Sequence, residues 1–343
     1  MSTLDTDGLA SAVDQAASAE GMSGVVSLDV DGEVVFAKAY GFADRAHEIA
    51  NTTDTRFALA SASKGFTALA VASLITEGVL RWDTPVRSIL NRDLPLIDDG
   101  VTVEHLMTHT SGIGDYLDEE ADWDVADYVL TVPVHELSAT EAFLPMLDGH
   151  AQKSAPGEKF SYNNGAFMVL ALIAERASGR GFHDLVEERV FAPAGLARTS
   201  YLRLDEQPGD TAVGYLSEDP ASLRTNVLHL PVRGNGDGGA FSTVAEISQF
   251  WRAFAEGRIV DAATRDLMIA PRSFDESEDL RYGIGFYLDL DGPGVQLTGF
   301  DAGVSSWTRF NPETRLTTTV ISNTPEGVWK VVGAHNRFLA ASA

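Results

Sequence analysis

The sequence predicts an α+β protein in which both ends of the chain form an antiparallel sheet flanked by helices, with a mainly helical segment inserted between them. Runs rich in Val and aromatic residues occur near the N-terminus and again after residue 280, and such runs are typical of strands. The residues between mix helical patterns with Pro- and Gly-rich connections, which indicates a separate helical layer. No internal repeat or low-complexity segment appears, so repeat architectures are excluded.

The N-terminal region predicts one helix followed by a hairpin. Apolar residues recur at helical spacing from Asp7 to Ala19, which indicates an amphipathic helix. Two Val-rich strands at 24–29 and 33–40 flank the pair Asp31-Gly32, and Asp-Gly is a strong hairpin-turn signal. We therefore expect the first helix to pack on an antiparallel sheet.

The middle of the chain predicts helices, and its end predicts a return to strands. Gly78 and Gly179 stand at helix C-cap positions, and Pro193 is expected to stop another helix. The expected helices are 64–76, 103–108, 165–178, 182–190, 245–256 and about 327–341, and the expected late strands are 281–290, 295–298, 304–310 and 316–323. Together these elements predict a sheet domain of residues 1–85 and 281–343 and an inserted, mainly helical domain of residues 86–280.

Composition and charge exclude several classes of partner. The chain has 343 residues, 25 Lys and Arg against 50 Asp and Glu, and a formal net charge of −25. Nucleic acids and anionic membranes need basic patches, so neither is expected as a partner. No apolar run approaches the roughly 20 residues of a membrane-spanning helix. The N-terminal residues before Glu20 contain no Lys or Arg, so no signal peptide is recognised and a cytoplasmic location is expected.

Two further features of the composition guide the search for a site. Cysteine is absent, which removes disulfides and thiolate chemistry. The many scattered acidic residues suggest, as a hypothesis, an acidic halophilic surface suited to high salt. Only five of the 25 basic residues are lysines, so a lysine in a special position is informative.

The first candidate for chemistry is the segment Ser61-Ala62-Ser63-Lys64. If a helix begins at or just after Ser61, residues i and i+3 share a face, so the amine of Lys64 lies beside the hydroxyl of Ser61. Lysine accepts a proton only when it is neutral, and the apolar residues that follow favour the burial that lowers a lysine pKa. The alternative is an N-cap serine followed by a surface lysine, and this match alone does not decide between them.

The second candidate is the pair Tyr162 and Asn164, at the start of a predicted helix. A phenol beside a lysine has its phenolate favoured, so Tyr162 is a candidate to carry the serine proton to a leaving group. Asn164 would either donate to a substrate carbonyl or fix Lys64. The alternative is an ordinary turn with an Asx cap before a helix.

The third candidate is Leu297-Thr298-Gly299-Phe300 in a late strand. A glycine on a strand lets a substrate approach the backbone. The N–H groups of Ser61 and Phe300 would then form an oxyanion hole. The alternative is a glycine at a strand edge with no further role.

In this combination and order the chain resembles the serine β-lactamase and penicillin-binding-protein family. The similarity is greatest to the branch that holds class C-like β-lactamases, D,D-peptidases, D-aminopeptidases and family VIII esterases. Its three motifs are SxxK (Ser61, Lys64), YxN (Tyr162, Asn164) and a strand motif ending in Thr298-Gly299. Flanking segments match as well, at residues 40–44, 56–70, 103–113, 156–164, 238–243 and 282–287.

The resemblance implies a β-lactamase/transpeptidase-like fold with the active site in the cleft between the two domains. It implies acyl transfer, in which Ser61 attacks a carbonyl, Lys64 and Tyr162 move protons, and water releases the acyl-enzyme. Analogy with the family also places Asp115 and Tyr116 on a loop lining the cleft. No cofactor and no metal are expected, and the oligomeric state stays open.

One position departs from the family pattern. Leu297 stands where the strand motif usually has Lys or His, and an apolar side chain cannot pair with a substrate carboxylate. We therefore expect a serine hydrolase acting on a small, uncharged ester or amide. The alternatives are a D-amino-acid-specific peptidase or β-lactamase, and a non-catalytic member that binds a ligand in the same cleft.

Two other patterns match motifs of different chemistry. Residues 234–239 satisfy GxGxxG, but Pro231 and the lack of a surrounding βαβ unit argue against a dinucleotide site, and a glycine-rich turn near the active site is favoured. His105 and His109 have the spacing of metal ligands but lack the Glu of a zinc protease, so a structural role is expected. No GxSxG elbow exists, which argues against an α/β-hydrolase.

Overall fold

The computed structural model describes residues 5–19, 21–119 and 127–342. Within these ranges the strands are β1 (Gly24–Val30), β2 (Glu33–Tyr40), β3 (Phe42–Asp44), β4 (Ile49–Ala50), β5 (Phe57–Ala58), β6 (Phe241–Ser242), β7 (Ser273–Asp275), β8 (Leu280–Tyr282), β9 (Tyr287–Leu288), β10 (Val295–Asp301), β11 (Val304–Phe310) and β12 (Leu316–Ser322). The helices are α1 (Thr6–Ala19), α2 (Lys64–Thr76), α3 (Arg87–Leu90), α4 (Val103–Met107), α5 (Leu144–Leu147), α6 (Asn164–Ser178), α7 (Phe182–Val186), α8 (Ala192–Ala194), α9 (Val244–Ala255), α10 (Ala262–Met268) and α11 (Trp329–Ser342).

The main sheet joins the two ends of the chain. Its strand order is β2-β1-β12-β11-β10-β9-β8-β7, and every neighbouring pair is antiparallel. Strand β12 lies between β1 and β11, so the last strand in the sequence completes the sheet that the first strand begins. The predicted fold class, an antiparallel sheet flanked by helices, is confirmed.

Helices cover both faces of this sheet. On one face α1 and α11 pack together, and buried residues such as Leu9, Val13 and Val331 form a cluster with Val26 and Trp307. On the other face α2 and α9 belong to the larger core, which extends through α6. The buried helix α2 therefore lies between the sheet and α6, which is where Ser61 and Lys64 are positioned.

Several predicted elements match the observed ones closely. The hairpin turns at Asp31 and Gly32, whose φ angles of 56° and 91° suit a tight two-residue turn. Helix α2 has the predicted bounds and ends before Gly78, whose φ is 76°. Helix α6 likewise ends at the left-handed Gly179.

Two predictions about element ends are wrong. The strand expected at 281–290 is divided into β8 and β9, which pair antiparallel, because the chain reverses direction at 283–286, where Gly285 has a φ of 80°. The helix expected to stop before Pro193 continues through a π-helical segment at Glu187–Phe191 into α8. Pro193 lies within α8 and does not end the helix before it.

The division into two domains stays a prediction. The sheet draws on residues 24–40 and 273–322, so β7 lies upstream of the predicted boundary at 281. Over the described residues, no helix has both the length and the apolar character required to span a membrane.

Candidate active site

The 3-10 turn Ala60–Ser63 places Ser61 directly before the first turn of α2. Ala60 has a φ of 45°, a left-handed conformation that costs a non-glycine residue about 1–2 kcal/mol. The turn lies tightly against β10, because a Cβ at Gly299 would be 2.1 Å from the carbonyl oxygen of Leu59. Glycine is therefore required where β10 approaches the Ser61 turn.

Lys64 is the centre of a buried polar network. Its Nζ lies 2.8 Å from Ser61 Oγ, 2.8 Å from Asn164 Oδ1 and 2.7 Å from the backbone oxygen of Asp237. Burial lowers the pKa of Lys64, and nearby carboxylates, first that of Asp237, oppose this change. In the neutral amine, two N–H groups satisfy the two carbonyl oxygens, which only accept, so the lone pair is left for the hydroxyl proton of Ser61.

Asn164 is fully engaged by this network. Its Oδ1 accepts from Lys64, while Nδ2 donates to the backbone oxygen of Leu117 at 3.1 Å and to Glu119 Oε1 at 2.9 Å. Both amide hydrogens are thus used within the protein. Of the two roles considered for Asn164, the geometry favours fixing Lys64 over donating to a substrate carbonyl.

The first turn of α6 rests on the buried carboxylate of Asp115. Oδ2 and Oδ1 of Asp115 accept the backbone N–H groups of Asn164 at 2.6 Å and Gly165 at 2.8 Å. Asn163 caps the same turn by accepting the N–H of Ala166 at 2.6 Å. Burial raises the pKa of Asp115 to about 7 despite these bonds. Asp115 therefore supports the site from beneath and does not line the cleft, contrary to expectation.

Tyr162 lies between this cap and Ser61. Burial first, and the charge of Glu119 next, raise the pKa of Tyr162 well above its usual value, and a hydrogen bond with Ser61 opposes them. Lys64 Nζ lies 4.9 Å from the centroid of the Tyr162 ring. The expectation that Lys64 favours the phenolate is wrong, because burial disfavours the charged forms of both groups. Tyr162 is a neutral phenol that donates a proton before it can accept one.

Strand β10 directs backbone N–H groups towards Ser61. Gln296 pairs with Tyr287 of β9, and alternate residues of an antiparallel strand direct their N–H groups to the same edge. Thr298 and Phe300 share that edge, which β9 leaves free beyond Gln296. Two cavities meet at Ser61, and Phe300 lines both of them as well. The N–H groups of Ser61 and Phe300 are therefore the candidate oxyanion donors.

Leu297 does not line either of these cavities, so its expected contact with substrate is corrected. It is 4% exposed and lies in the large core. Its side chain points to α2, where a Cβ at Gly65 would be 2.7 Å from Leu297 Cδ2. The physical reason is strand alternation, which turns Leu297 to the face covered by α2 and leaves Thr298 on the opposite face, where it lines the second cavity.

Ser61 lies where two cavities meet. The first is lined by Tyr116, Asn164 and Asp237 together with several leucines. The second opens beside Ser61 and Tyr162 along β10. Tyr116 thus lies on the cavity wall, and its hydroxyl donates to the Asp237 carboxylate.

Carboxylates are the main charged groups in the described lining of both cavities. The first cavity has Glu119, Asp237 and Asp301 and no lysine or arginine, and the second has Glu119, Asp275, Glu276 and Glu278 with Lys159. Burial raises the pKa of Asp301 to about 7, and it also raises the pKa of Asp237. The arrangement disfavours a negatively charged ligand.

Sequence reasoning missed Asp237, although a signal was present. Asp237 belongs to the glycine-rich segment 234–239. This segment packs closely against the Ser61 turn, as shown by the 3.3 Å that would separate a Cβ at Gly238 from the oxygen of Ala60. That segment was predicted to be a turn near the site, and its backbone contact with Lys64 bears this out. The roles of Asp301 and Glu119 depend on long-range packing, for which the sequence carries no local pattern.

No metal centre is evident in the part of the chain that the structure describes, since no group of three His, Cys, Asp or Glu residues is arranged to hold an ion. His105 forms a capping box with Thr102 at the start of α4. His109 is fully buried among aromatic rings. Both histidines therefore take structural positions.

Comparison with known proteins agrees with this geometry. A family model described as Beta-lactamase matches residues 9–342. The D-aminopeptidase of Brucella anthropi is 30% identical over 302 residues, a match that covers 84% of this chain and 53% of that protein. Penicillin-binding protein 4* of Bacillus subtilis (strain 168) is 29% identical over 281 residues, covering 78% of this chain and 59% of that protein.

Solved structures agree as well. The crystal structure of a penicillin binding protein from Bacillus halodurans has a TM-score of 0.88 and 33% identity, covering 96% of this chain and 100% of that one. The chain spans only a little over half the length of the two curated relatives.

Proposed function

From the premise that this chain belongs to the β-lactamase family, a family of serine hydrolases, we propose that it hydrolyses a small ester or amide through an acyl-enzyme at Ser61. The observation that carries the proposal is the position of Lys64 Nζ, 2.8 Å from Ser61 Oγ and held by two carbonyl acceptors. A nucleophile with a base oriented in this way is the arrangement that acyl transfer requires.

Acylation begins with proton transfer from Ser61 to Lys64. Burial keeps Lys64 neutral in a larger fraction of molecules than an exposed lysine. As Ser61 Oγ bonds to the substrate carbonyl carbon, its proton passes to the lone pair of Nζ. The negative charge on the substrate oxygen is then stabilised by the N–H groups of Ser61 and Phe300, which are fixed before the reaction starts.

Tyr162 completes the proton path. As a neutral phenol with a hydrogen bond to Ser61, Tyr162 donates its proton to the leaving oxygen or nitrogen. It then regains a proton from Lys64. Water then attacks the acyl carbon with the same groups acting in reverse, which regenerates Ser61. The presence of a nucleophile and two proton carriers argues against a member of the family that only binds a ligand.

The charge of the cavities, more than residue 297, supports an uncharged substrate. The carboxylates that line the cavities face a single lysine among the described lining residues. A substrate carboxylate would meet repulsion and find no arginine. Penicillin-like substrates are therefore a weaker candidate than neutral esters and amides.

The same lining favours a second candidate, an amide or peptide with a free amino group. Glu119, Asp237 and Asp301 line the first cavity next to Ser61, and a substrate ammonium would offset their charge. The D-aminopeptidase relative agrees with this candidate by its name.

The test uses three substrates and two matched variants. The wild type, Ser61→Ala and Ser73→Ala are incubated with a p-nitrophenyl ester of a short acid, D-alanine amide and a chromogenic cephalosporin. Ser73→Ala removes a hydroxyl that bonds Ala70 within the same helix and is expected to retain activity. Turnover with a mass adduct on Ser61 supports the proposal, and D-alanine amide as the best substrate would favour the second candidate. Absence of turnover and of any adduct would refute the proposal, and a cephalosporin rate above the ester rate would refute the assignment of substrate charge.

A further inference from the structure

His109, which the reaction described above does not use, contacts both residues that flank Tyr162. The backbone oxygen of His109 accepts the N–H of Ser161 at 2.8 Å, and Nδ1 accepts the N–H of Asn163 at 3.1 Å. One residue therefore holds the chain on each side of Tyr162. The bond to Asn163 also fixes the start of α6, where Asn164 bonds Lys64.

The ring of His109 also packs against the ring of Tyr162. The two centroids are 4.5 Å apart with an interplanar angle of 32°, and Phe167 and Tyr282 enclose the imidazole at 5.0 and 4.9 Å. His109 is 0% exposed, so the Tyr162 ring has a rigid neighbour. This contact limits the tilt of the ring and hence the position of its hydroxyl near Ser61.

His109 occupies this position at a cost to stability. Its φ of 54° is left-handed, a conformation that is unfavourable for a non-glycine residue. Because Nδ1 accepts a hydrogen bond, the neutral ring carries its proton on Nε2, which has no hydrogen-bond partner among the residues that the structure describes. A buried donor without a partner lowers stability further. Local strain of this kind is commonly found beside functional groups.

We propose that His109 is a positioning residue that holds Tyr162 and Asn164 in reactive geometry through its two acceptor atoms. The proposal rests on the proposed function, since the residues it holds are those assigned to proton transfer and to Lys64. Loss of the Nδ1 acceptor would release Asn163 and let Tyr162 move. Displacement of a catalytic group by about 1 Å can cost roughly 100-fold in rate.

Two substitutions separate the acceptor from the ring. His109→Phe keeps a ring and removes Nδ1, and we expect kcat to fall about 100-fold with KM changed less than about 3-fold. His109→Asn keeps an acceptor at the δ position and tolerates a left-handed φ, so we expect kcat within about 10-fold of the wild type. His105→Asn is the matched control, because His105 also accepts a backbone N–H through Nδ1, at Thr102, and lies outside the site.

Hydrogen exchange of the Ser161 and Asn163 amides gives a measurement that does not require turnover. We expect both amides to be protected in the wild type, and Asn163 to lose protection in His109→Phe and keep it in His109→Asn. If the wild type hydrolyses none of the substrates, the proposed function fails while exchange still decides the role of His109.

Three results would overturn the role of His109. They are a folded His109→Phe with kcat within about 3-fold of the wild type, unchanged exchange at Asn163 in that variant, and an equal loss of kcat in His105→Asn. If His109→Phe does not fold, a folded His109→Asn with protected amides and kcat more than about 100-fold reduced would overturn it as well.

Discussion

Substitution of Gly299 by alanine tests the oxyanion hole most directly. The added Cβ would lie 2.1 Å from the Leu59 oxygen and 2.9 Å from the Ala62 nitrogen, where ordinary contact begins at 3.4 Å. Strand β10 and the Ser61 turn must therefore separate by about 1.3 Å, which moves the Phe300 N–H away from Ser61. Loss of one oxyanion donor lowers kcat by about 100- to 1000-fold, and overpacking costs about 1–3 kcal/mol of stability.

The matched control is Gly24→Ala, in the same row of the sheet. Gly24 aligns with Phe300 across β12 and β11, so it lies about 14 Å away. Its Cβ would meet the backbone oxygen of Ile321 at 2.0 Å, an equivalent clash. We expect both variants to lose similar thermal stability, whereas only Gly299→Ala loses ester hydrolysis in steady-state assays. A folded Gly299→Ala with kcat close to that of the wild type would refute the assignment of the oxyanion donors.

Three further outcomes follow from the packing and charge of the protein. Leu297→Ala is expected to lower the free energy of unfolding, measured in urea, by about 2–5 kcal/mol and to leave KM for an ester unchanged. A changed KM with no loss of stability would show that the Leu297 side chain contacts the substrate. Lys64→Met should abolish hydrolysis. The folded pKa of Lys64 lies below its usual 10.5, so between these two pKa values the unfolded chain binds a proton that the folded chain does not. Wild-type stability should therefore rise with pH relative to that of Lys64→Met, by at most about 1.4 kcal/mol per pH unit. Urea unfolding of both proteins at pH 7.5 and 9.5 measures this difference, and its absence would contradict a lowered pKa. Raising salt towards about 1 M, where the Debye length is about 3 Å, should raise the melting temperature, and loss of structure and activity in high salt would contradict the halophilic hypothesis.

Local patterns were sufficient to predict the frame of the site. Helix α2 combines a largely apolar run with a glycine just after its end, so its bounds and the shared face of Ser61 and Lys64 follow from local sequence signals. Among the late strands, β11 has the predicted bounds, 304–310. In each case the signal lies within a few residues of the element that it defines.

Features that depend on contacts between distant segments could not be predicted. The direction of the Leu297 side chain depends on the register of β10 against β9 and β11, and a shift of one residue would reverse it. The pKa of Tyr162 depends on burial and on charged groups that are distant in the sequence, such as Glu119 and Asp237. Asp237 reaches Lys64 through its backbone oxygen, for which residue type carries no information.

Burial lowers the pKa of Lys64, whereas the carboxylates around it raise that pKa, and the size of the second effect can be measured. Asp237 exerts the largest charge effect on the pKa of Lys64, and Asp301 a smaller one. Removing either charge makes the ammonium less stable, so Lys64 becomes neutral at lower pH. The acid limb of the kcat/KM profile should therefore move to lower pH in Asp237→Asn and, by less, in Asp301→Asn. Asp275→Asn, in the second cavity, is the control and should leave the limb in place. An acid limb that stays fixed in the first two variants, or moves to higher pH, would show that a group other than Lys64 accepts the proton from Ser61.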